Sequence, residues 1–260
     1  MPIRSRQQRL LKHVNAVGVA SVQDLSRLYD VSEMTIRRDI DHLSRSRLLA
    51  KVKGGAQRLE ESAKFHEAHL RARMKLNIAA KQRLAEKAAT LVEHGDTLFL
   101  DGSTTIICLA EVLARLAKEI TVITNSVLVA LELAEARNIR LVSLGGLFDY
   151  ETFSFSPMDE DDALKGYHVK KAFLSCTGLI LAKGTYENAV FNMAVKRKAA
   201  RSAKTVCLLV DAGKLEQRAF SLVLDIDEID ELVTEDVLTR EQLDFLAGKN
   251  IRTYLVRSQT

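Results

Sequence analysis

Apolar residues recur in the first part of this chain at helical spacing, in three short bursts. Leu10, Leu11, Val14 and Val17 line one face of a first helix, which Gly18 would stop. Val22, Leu25 and Leu28 mark a second, with Tyr29-Asp30 as the turn that follows. Ile36, Ile40 and Leu43 fall at i, i+4 and i+7 in a third, with Ser32 at its N-cap and Thr35 close behind. Three short helices so spaced predict a helix-turn-helix. Thr35, Arg37 and Arg38 lie off the apolar stripe near the N-terminal end of the third helix. That end enters the major groove, where Thr and Arg meet phosphates and base edges. The stretch 50–58 (AKVKGGAQR) predicts a β-hairpin around Gly54-Gly55, with Lys51, Lys53 and Arg58 forming a basic wing along the DNA backbone. Ser32, Thr35, Arg37, Arg38, Lys51, Lys53 and Arg58 are therefore the candidate DNA contacts.

From residue 97 onward the pattern changes to short apolar runs alternating with helical stretches. Strands are predicted at 97–101, 120–124, 139–144, 171–175, 205–211, 231–234 and 252–256. Regular alternation of this kind predicts an α/β domain with a mostly parallel sheet, whose ligands bind beyond the carboxyl ends of the strands. Polar residues gather at those ends. Asp101-Gly102-Ser103-Thr104-Thr105 follows the first strand, Thr124-Asn125 ends the second, and Gly145-Gly146 follows the third. Backbone N–H groups and the positive end of a helix dipole at Gly102–Thr105 suit a phosphate. The loop lacks the Lys and the spacing of a nucleotide-hydrolysing P-loop. Each turn alone is more often a cap than a site; three turns converging on one rim point to a small-anion or sugar-phosphate pocket.

Charge sharpens this division. Residues 1–58 hold 12 Lys and Arg against 5 Asp and Glu, a balance of +7 in a chain whose total is +4, which leaves −3 for the remainder. Polyanion binding then belongs to a basic head, through phosphate contacts that weaken with salt. The length fits a winged helix-turn-helix at 1–58, a polar helical connector at 59–75 and an α/β effector-sensing domain at 76–260. No apolar run approaches the roughly 18 residues of a membrane span, and the N-terminus lacks a signal-peptide core, so a cytoplasmic protein is expected. Cys108, Cys176 and Cys207 read as buried core thiols. No cofactor or metal is expected. The six His make no ligand spacing, and His66 with His69 lie in the charged connector. The acidic run 159–162 fits a helix N-terminus.

The chain resembles the DeoR family of transcriptional regulators over nearly its full length. The resemblance is carried by Ser32-x-x-Thr35-Ile36-Arg37-Arg38-Asp39-Ile40-x-x-Leu43, by Lys53-Gly54-Gly55-Ala56, and by Asp101-Gly-Ser-Thr-Thr, Thr124-Asn125, Gly145-Gly146, Lys196-Arg197 and Asp211-Ala-Gly-Lys214. It implies a sensor domain related in fold to ribose-5-phosphate isomerase, with a phosphorylated sugar or related metabolite as ligand. It also implies repression of a carbohydrate-utilisation operon, operator DNA as partner, and a dimer or tetramer. This chain departs from the family pattern at three positions. Thr177 stands where Asp is frequent, Asn192 where Glu is common four residues before Lys196, and Ser156 where many members have Gly before Pro157.

Lys196 and Lys214 are candidate phosphate cations, with Asp211 orienting the second; the competing reading of Lys196 is a solvated lysine in a charged helix run. Tyr186-Glu187-Asn188 after Gly184 suggests a loop over the pocket, with Glu187 facing the ligand. The alternative function is a sugar-phosphate isomerase-like enzyme with an accessory DNA-binding head, in which Asp101, Glu187 or Asp211 would be the base. The head, and the absence of a carboxylate at Asn192, favour a regulator.

Overall fold

The computed structural model describes residues 5–45, 48–58, 70–158, 164–188 and 190–258. In the head, α1 (Ser5–Val17) is followed by β1 (Val19–Ser21), α2 (Val22–Tyr29), α3 (Glu33–Arg45), β2 (Ala50–Val52) and β3 (Gly55–Gln57). Leu10 and Val14 of α1, Val22 and Leu25 of α2, and Ile36, Ile40 and Leu43 of α3 close one buried core, with Leu49 and Ala56 from the hairpin. The stripes of α1 and α2 are narrower than the sequence suggests, because Val17 and Leu28 are 53% and 54% exposed, whereas the α3 stripe is buried in full. The Gly18 N–H closes α1 on the Val14 carbonyl at 2.8 Å. The Ser21 hydroxyl caps α2 by accepting from the Asp24 N–H at 3.0 Å, and the Ser32 hydroxyl accepts from the Thr35 N–H at 3.3 Å at the start of α3.

The wing is a three-stranded antiparallel sheet in the order β1-β3-β2. β1 was not foreseen, since three residues with an exposed Val19 carry too short an alternation to register. The two glycines of the hairpin have separate reasons. Gly54 turns the chain at φ +82°, and a Cβ on Gly55 would stand 2.2 Å from the Ala20 carbonyl oxygen, so only glycine lets β1 lie against β3.

The body contains α4 (Ile78–Ala89), β4 (Thr97–Leu100), α5 (Thr104–Ala114), β5 (Ile120–Thr124), α6 (Val127–Leu133) and β6 (Ile139–Ser143). A hairpin of β7 (Leu147–Asp149) and β8 (Ser154–Ser156) follows, then β9 (Val169–Leu174), β10 (Gly178–Ile180) and β11 (Gly184–Glu187). The chain ends with α7 (Val190–Ser202), β12 (Ala203–Val210), a 3-10 turn (Ala212–Lys214), β13 (Ser221–Asp225), β14 (Glu231–Glu235), α8 (Arg240–Gly248) and β15 (Arg252–Val256). Seven strands form one sheet in the order β15-β14-β12-β9-β4-β5-β6, and every pairing in it is parallel. These are the seven strands the apolar runs predicted. Their neighbours alternate between two cores. Leu98, Leu100, Phe173, Cys207 and Leu209 face α4, α5 and α6, whereas Phe99, Ala172, Leu174, Leu208 and Val210 face Met193, Ala199 and the small sheet. Burial on both faces is why these strands read as continuous apolar runs and not as alternating ones.

The small antiparallel sheet, β10-β11-β13, is a correction. Tyr186 and Glu187 belong to its central strand and are buried, not part of a covering loop. By contact the chain forms two units, Met1–His69 and Leu70–Thr260. Of the connector, 70–75 are helical, while 59–69, with His66 and His69, lie outside the described residues, as does the acidic run 159–162. The three cysteines are free and buried, and burial pushes the Cys108 thiol up to about 11 and Cys176 up to about 12. Among the described residues no helix is long and apolar enough to cross a membrane.

Candidate DNA-binding surface and effector site

Burying Ile36, Ile40 and Leu43 turns the opposite side of α3 outward, and Arg37 and Arg38 are exposed there. Arg37 donates to Glu33 one turn earlier at 3.3 Å, both side chains being about half exposed. Lys51 pairs with Asp41 at 2.6 Å, again in solvent, and Lys53 is exposed at the hairpin turn. Such pairs contribute little and exchange readily for a phosphate. Ser32 and Thr35 hold each other, their hydroxyl oxygens 2.9 Å apart, so both serve the helix start as well as facing outward. Arg58 is different. Its guanidinium donates to the Asn15 carbonyl at 3.3 Å and its N–H to the Gly18 carbonyl at 2.7 Å, which ties the end of the wing to α1. Asp39 is an anchor that the sequence reading placed in the motif without a role. Buried between Ile36 and Ile40, it accepts from Arg6 at 2.6 Å and Gln7 at 2.9 Å, fixing α3 to α1. The Asp39 hydrogen bond raises the Arg6 pKa further above its ordinary value, against the smaller opposing effect of burial.

In the body, strand number rises from β4 to β6 on one side of the sheet and from β9 to β15 on the other. The switch point therefore lies between β4 and β9, where ligands of such sheets bind. Asp101 leaves β4 there, 2% exposed. One carboxylate oxygen accepts the Ser103 N–H at 2.8 Å, and the other accepts the Ser175 N–H at 3.0 Å, bridging the ends of β4 and β9. Lys196 of α7 meets the same carboxylate at 3.1 Å. It also donates to the Ser175 carbonyl at 2.7 Å and pairs closely with Glu187. Burial alone would lower its pKa, but Asp101 and Glu187 outweigh burial and raise it above the ordinary lysine value. Thr177 completes the network, its hydroxyl donating to the second Glu187 oxygen at 2.7 Å. Lys196 is thus a buried link between two carboxylates, and neither a solvated lysine nor an uncommitted cation.

Lys214 supplies a more available charge. Its ammonium, on a side chain 20% exposed, stands 3.2 Å from the Ser175 hydroxyl, 3.4 Å from the Thr105 hydroxyl and 3.4 Å from Asp211. Thr105 is in the first turn of α5, whose leading N–H groups have no intrahelical acceptor. Ser103 occupies the N-cap of α5 without making a cap bond, and among the described residues its buried hydroxyl has no partner. A Cβ on Gly102 would stand 2.3 Å from the Ser154 hydroxyl, which would have to shift. Thr104 is buried beside it. On the other side, the Asn125 amide donates to the Phe155 carbonyl at 2.9 Å and lies 3.5 Å from the Asn192 amide oxygen.

Asp101, Lys196 and Glu187 thus meet in one network, and Thr105, Ser175 and Asp211 meet at Lys214. Thr124 is directed elsewhere. Its hydroxyl donates to Leu100 at 2.8 Å and accepts the Ser126 N–H at 3.0 Å. Gly145 and Gly146 are exposed, and Gly146 is explained by packing, since a Cβ there would stand 2.1 Å from the Ser156 carbonyl oxygen. Ser175 and Asn77 were missed. Neither sits in a recognisable motif; the strand order brings Ser175 to the rim, and the start of α4 brings Asn77 to Asp211. Surface hollows away from this rim include one of about 500 Å³ along Lys183, Asp225 and Asp227, one of about 430 Å³ along His168, Lys170 and Lys204, and one of about 350 Å³ along Leu181 and Phe245.

A winged head with an outward basic helix, joined to an α/β body with a polar rim at its switch point, defines a DNA-binding regulator with a sensor domain. The chain belongs to the DeoR family: residues 6–62 match the DeoR-like helix-turn-helix domain and residues 76–236 the DeoR C terminal sensor domain. It is 32% identical over 98% of its length to the HTH-type transcriptional regulator YulB of Bacillus subtilis, and covers 98% of that protein. It is 30% identical to the lactose phosphotransferase system repressor of Lactococcus lactis, covering 93% of this chain and 94% of that one. It is 28% identical to the L-fucose operon activator of Haemophilus influenzae, covering 96% and 99%. Relatives over the full length are regulators, so the chain is a transcriptional regulator and not an enzyme. Among solved structures, ribose 5-phosphate isomerase A from Neisseria gonorrhoeae is 18% identical over 53% of either chain, with a TM-score of 0.41.

Proposed function

We propose that this regulator controls a carbohydrate-utilisation operon as a repressor, and that a phosphorylated sugar seated at the β4–β9 switch point releases it from operator DNA. The observation that carries this reading is the Lys214 ammonium 3.4 Å from Thr105 in the first turn of α5, a helix whose N-cap Ser103 makes no cap bond, a combination suited to a phosphate. Asp101, Glu187, Asn125 and Asn192 offer carboxylates and amides that suit sugar hydroxyls. Two of the relatives named above are a lactose phosphotransferase system repressor and an L-fucose operon activator, and the repressor assignment follows the first. Paired heads of a dimer would read two half-sites, and the ligand would act by binding the DNA-free arrangement more tightly.

Thermal-shift measurements on the purified chain, with a panel of sugar phosphates and their unphosphorylated parents, test the reading. A selective rise in Tm with a phosphorylated sugar, lost in Lys214→Ala, is expected, and the same compound should release bound operator DNA. Equal shifts from the parent sugars would overturn the phosphate assignment.

A further inference from the structure

Lys81 lies in the first turn of α4, 3% exposed, and no motif accounts for it. Its ammonium donates to the Arg73 carbonyl, in the helical stretch 70–75. Among the described residues that is its one acceptor, although an ammonium offers three N–H groups. Four residues earlier, Asn77 takes a left-handed backbone at φ 53° and makes no side-chain cap for its own helix. Its amide instead donates to Asp211 at 3.0 Å, and its carbonyl receives the Lys81 N–H at 3.0 Å. Asp211 in turn lies 3.4 Å from Lys214. The segment 70–77, the body's end of the chain that runs back to the head, is therefore bonded to the rim at Asp211 and to Lys81 at Arg73.

We propose that Lys81 and Asn77 are the relay of the effector site: an anion seated at Lys214 offsets the positive charge beside Lys81 and changes the hydrogen bonding of this pair, and through them the conformation of residues 70–77. The inference rests on the phosphate reading above. The groups facing Lys81 are Lys214 from the 3-10 turn and Asp211 just before it, Cys108 from α5 and Arg73 from the preceding helix. Burial first, then repulsion from Lys214, lowers its pKa to about 8, with Asp211 and Cys108 opposing. An anion beside Lys214 offsets that repulsion and favours the charged ammonium. Anion affinity is then highest where Lys81 is already charged, below pH about 8, and falls as pH rises through that value.

Hydrogen–deuterium exchange and titration of the full chain with inorganic phosphate, between pH about 7.5 and 9.5, test this. In the wild type, phosphate alters exchange at 70–77, and its Kd rises roughly fivefold or more across the range. Lys81→Met replaces a desolvated cation by an apolar chain of similar length, and is expected to remove both effects. Retention of both in that variant overturns the inference alone, leaving the phosphate reading intact. Absence of phosphate binding in the wild type overturns the two together. Should Lys81→Met not fold, Asn77→Ala cuts the other link. It is expected to abolish the exchange response while the pH dependence persists, and an unchanged response there overturns the relay.

Discussion

The head and the body hold their charged residues in opposite ways. On the head, Arg37, Lys51 and Lys53 stand in solvent, with at most one weak partner each among the described residues. In the body, Lys196 is buried with three acceptors, and Asp101 joins two strand ends and a helix start. A surface that must trade its partners for DNA phosphates needs pairs that cost little to break. A pocket that excludes water must neutralise its charges internally, because an unpaired buried ion is expensive. Function and stability are therefore separable in the head and entangled in the body.

The largest effect should come from the body. Lys196→Met leaves Asp101 and Glu187 facing each other without their shared cation, and should destabilise the body by about 3–5 kcal/mol in urea unfolding. A loss below about 1 kcal/mol would break the comparison, since surface pairs cost as much. Next, Arg37→Ala or Arg38→Ala should lower affinity for selected operator DNA by about 1–3 kcal/mol per base-reading arginine. Fluorescence anisotropy at fixed salt measures this, and stability should stay within about 0.5 kcal/mol. The smallest effect sharpens the picture within the wing. Lys53→Ala should reduce the slope of log affinity against log salt by about one, equally for all sequences. Arg58→Ala should instead lower the head's melting temperature, because its guanidinium reaches the Asn15 carbonyl.

Much of the head was legible along the chain. Ile36, Ile40 and Leu43 define a face by spacing alone, and whatever lies off that face is outward. Even there, the widths of the stripes were overread, and Asp39 inside one of them had a role only once Arg6 and Gln7 were seen beside it. In the body, all seven parallel strands were visible as apolar runs, yet the site was visible only in part. Asp101 and Thr105 followed from a strand-to-helix turn. Glu187 was assigned to a loop because its short strand has no alternation that distinguishes it from a turn, and the packing of Gly146 against the backbone of Ser156 has no signal in the sequence.

Local patterning, read over a few turns or strands, determined by itself the three helices of the helix-turn-helix, the β2–β3 hairpin, the individual strands of the sheet and the basic surface of α3. These depend on which residues within one element share a face, which spacing encodes directly. The tertiary structure alone decided that Lys196 is a buried link and Lys214 the available cation. It also decided that Ser175 joins both groups, and that Asn77 reaches a carboxylate 134 positions away. Strand order sets which rims become neighbours, and burial sets which charges must be paired; both arise from packing across the whole domain.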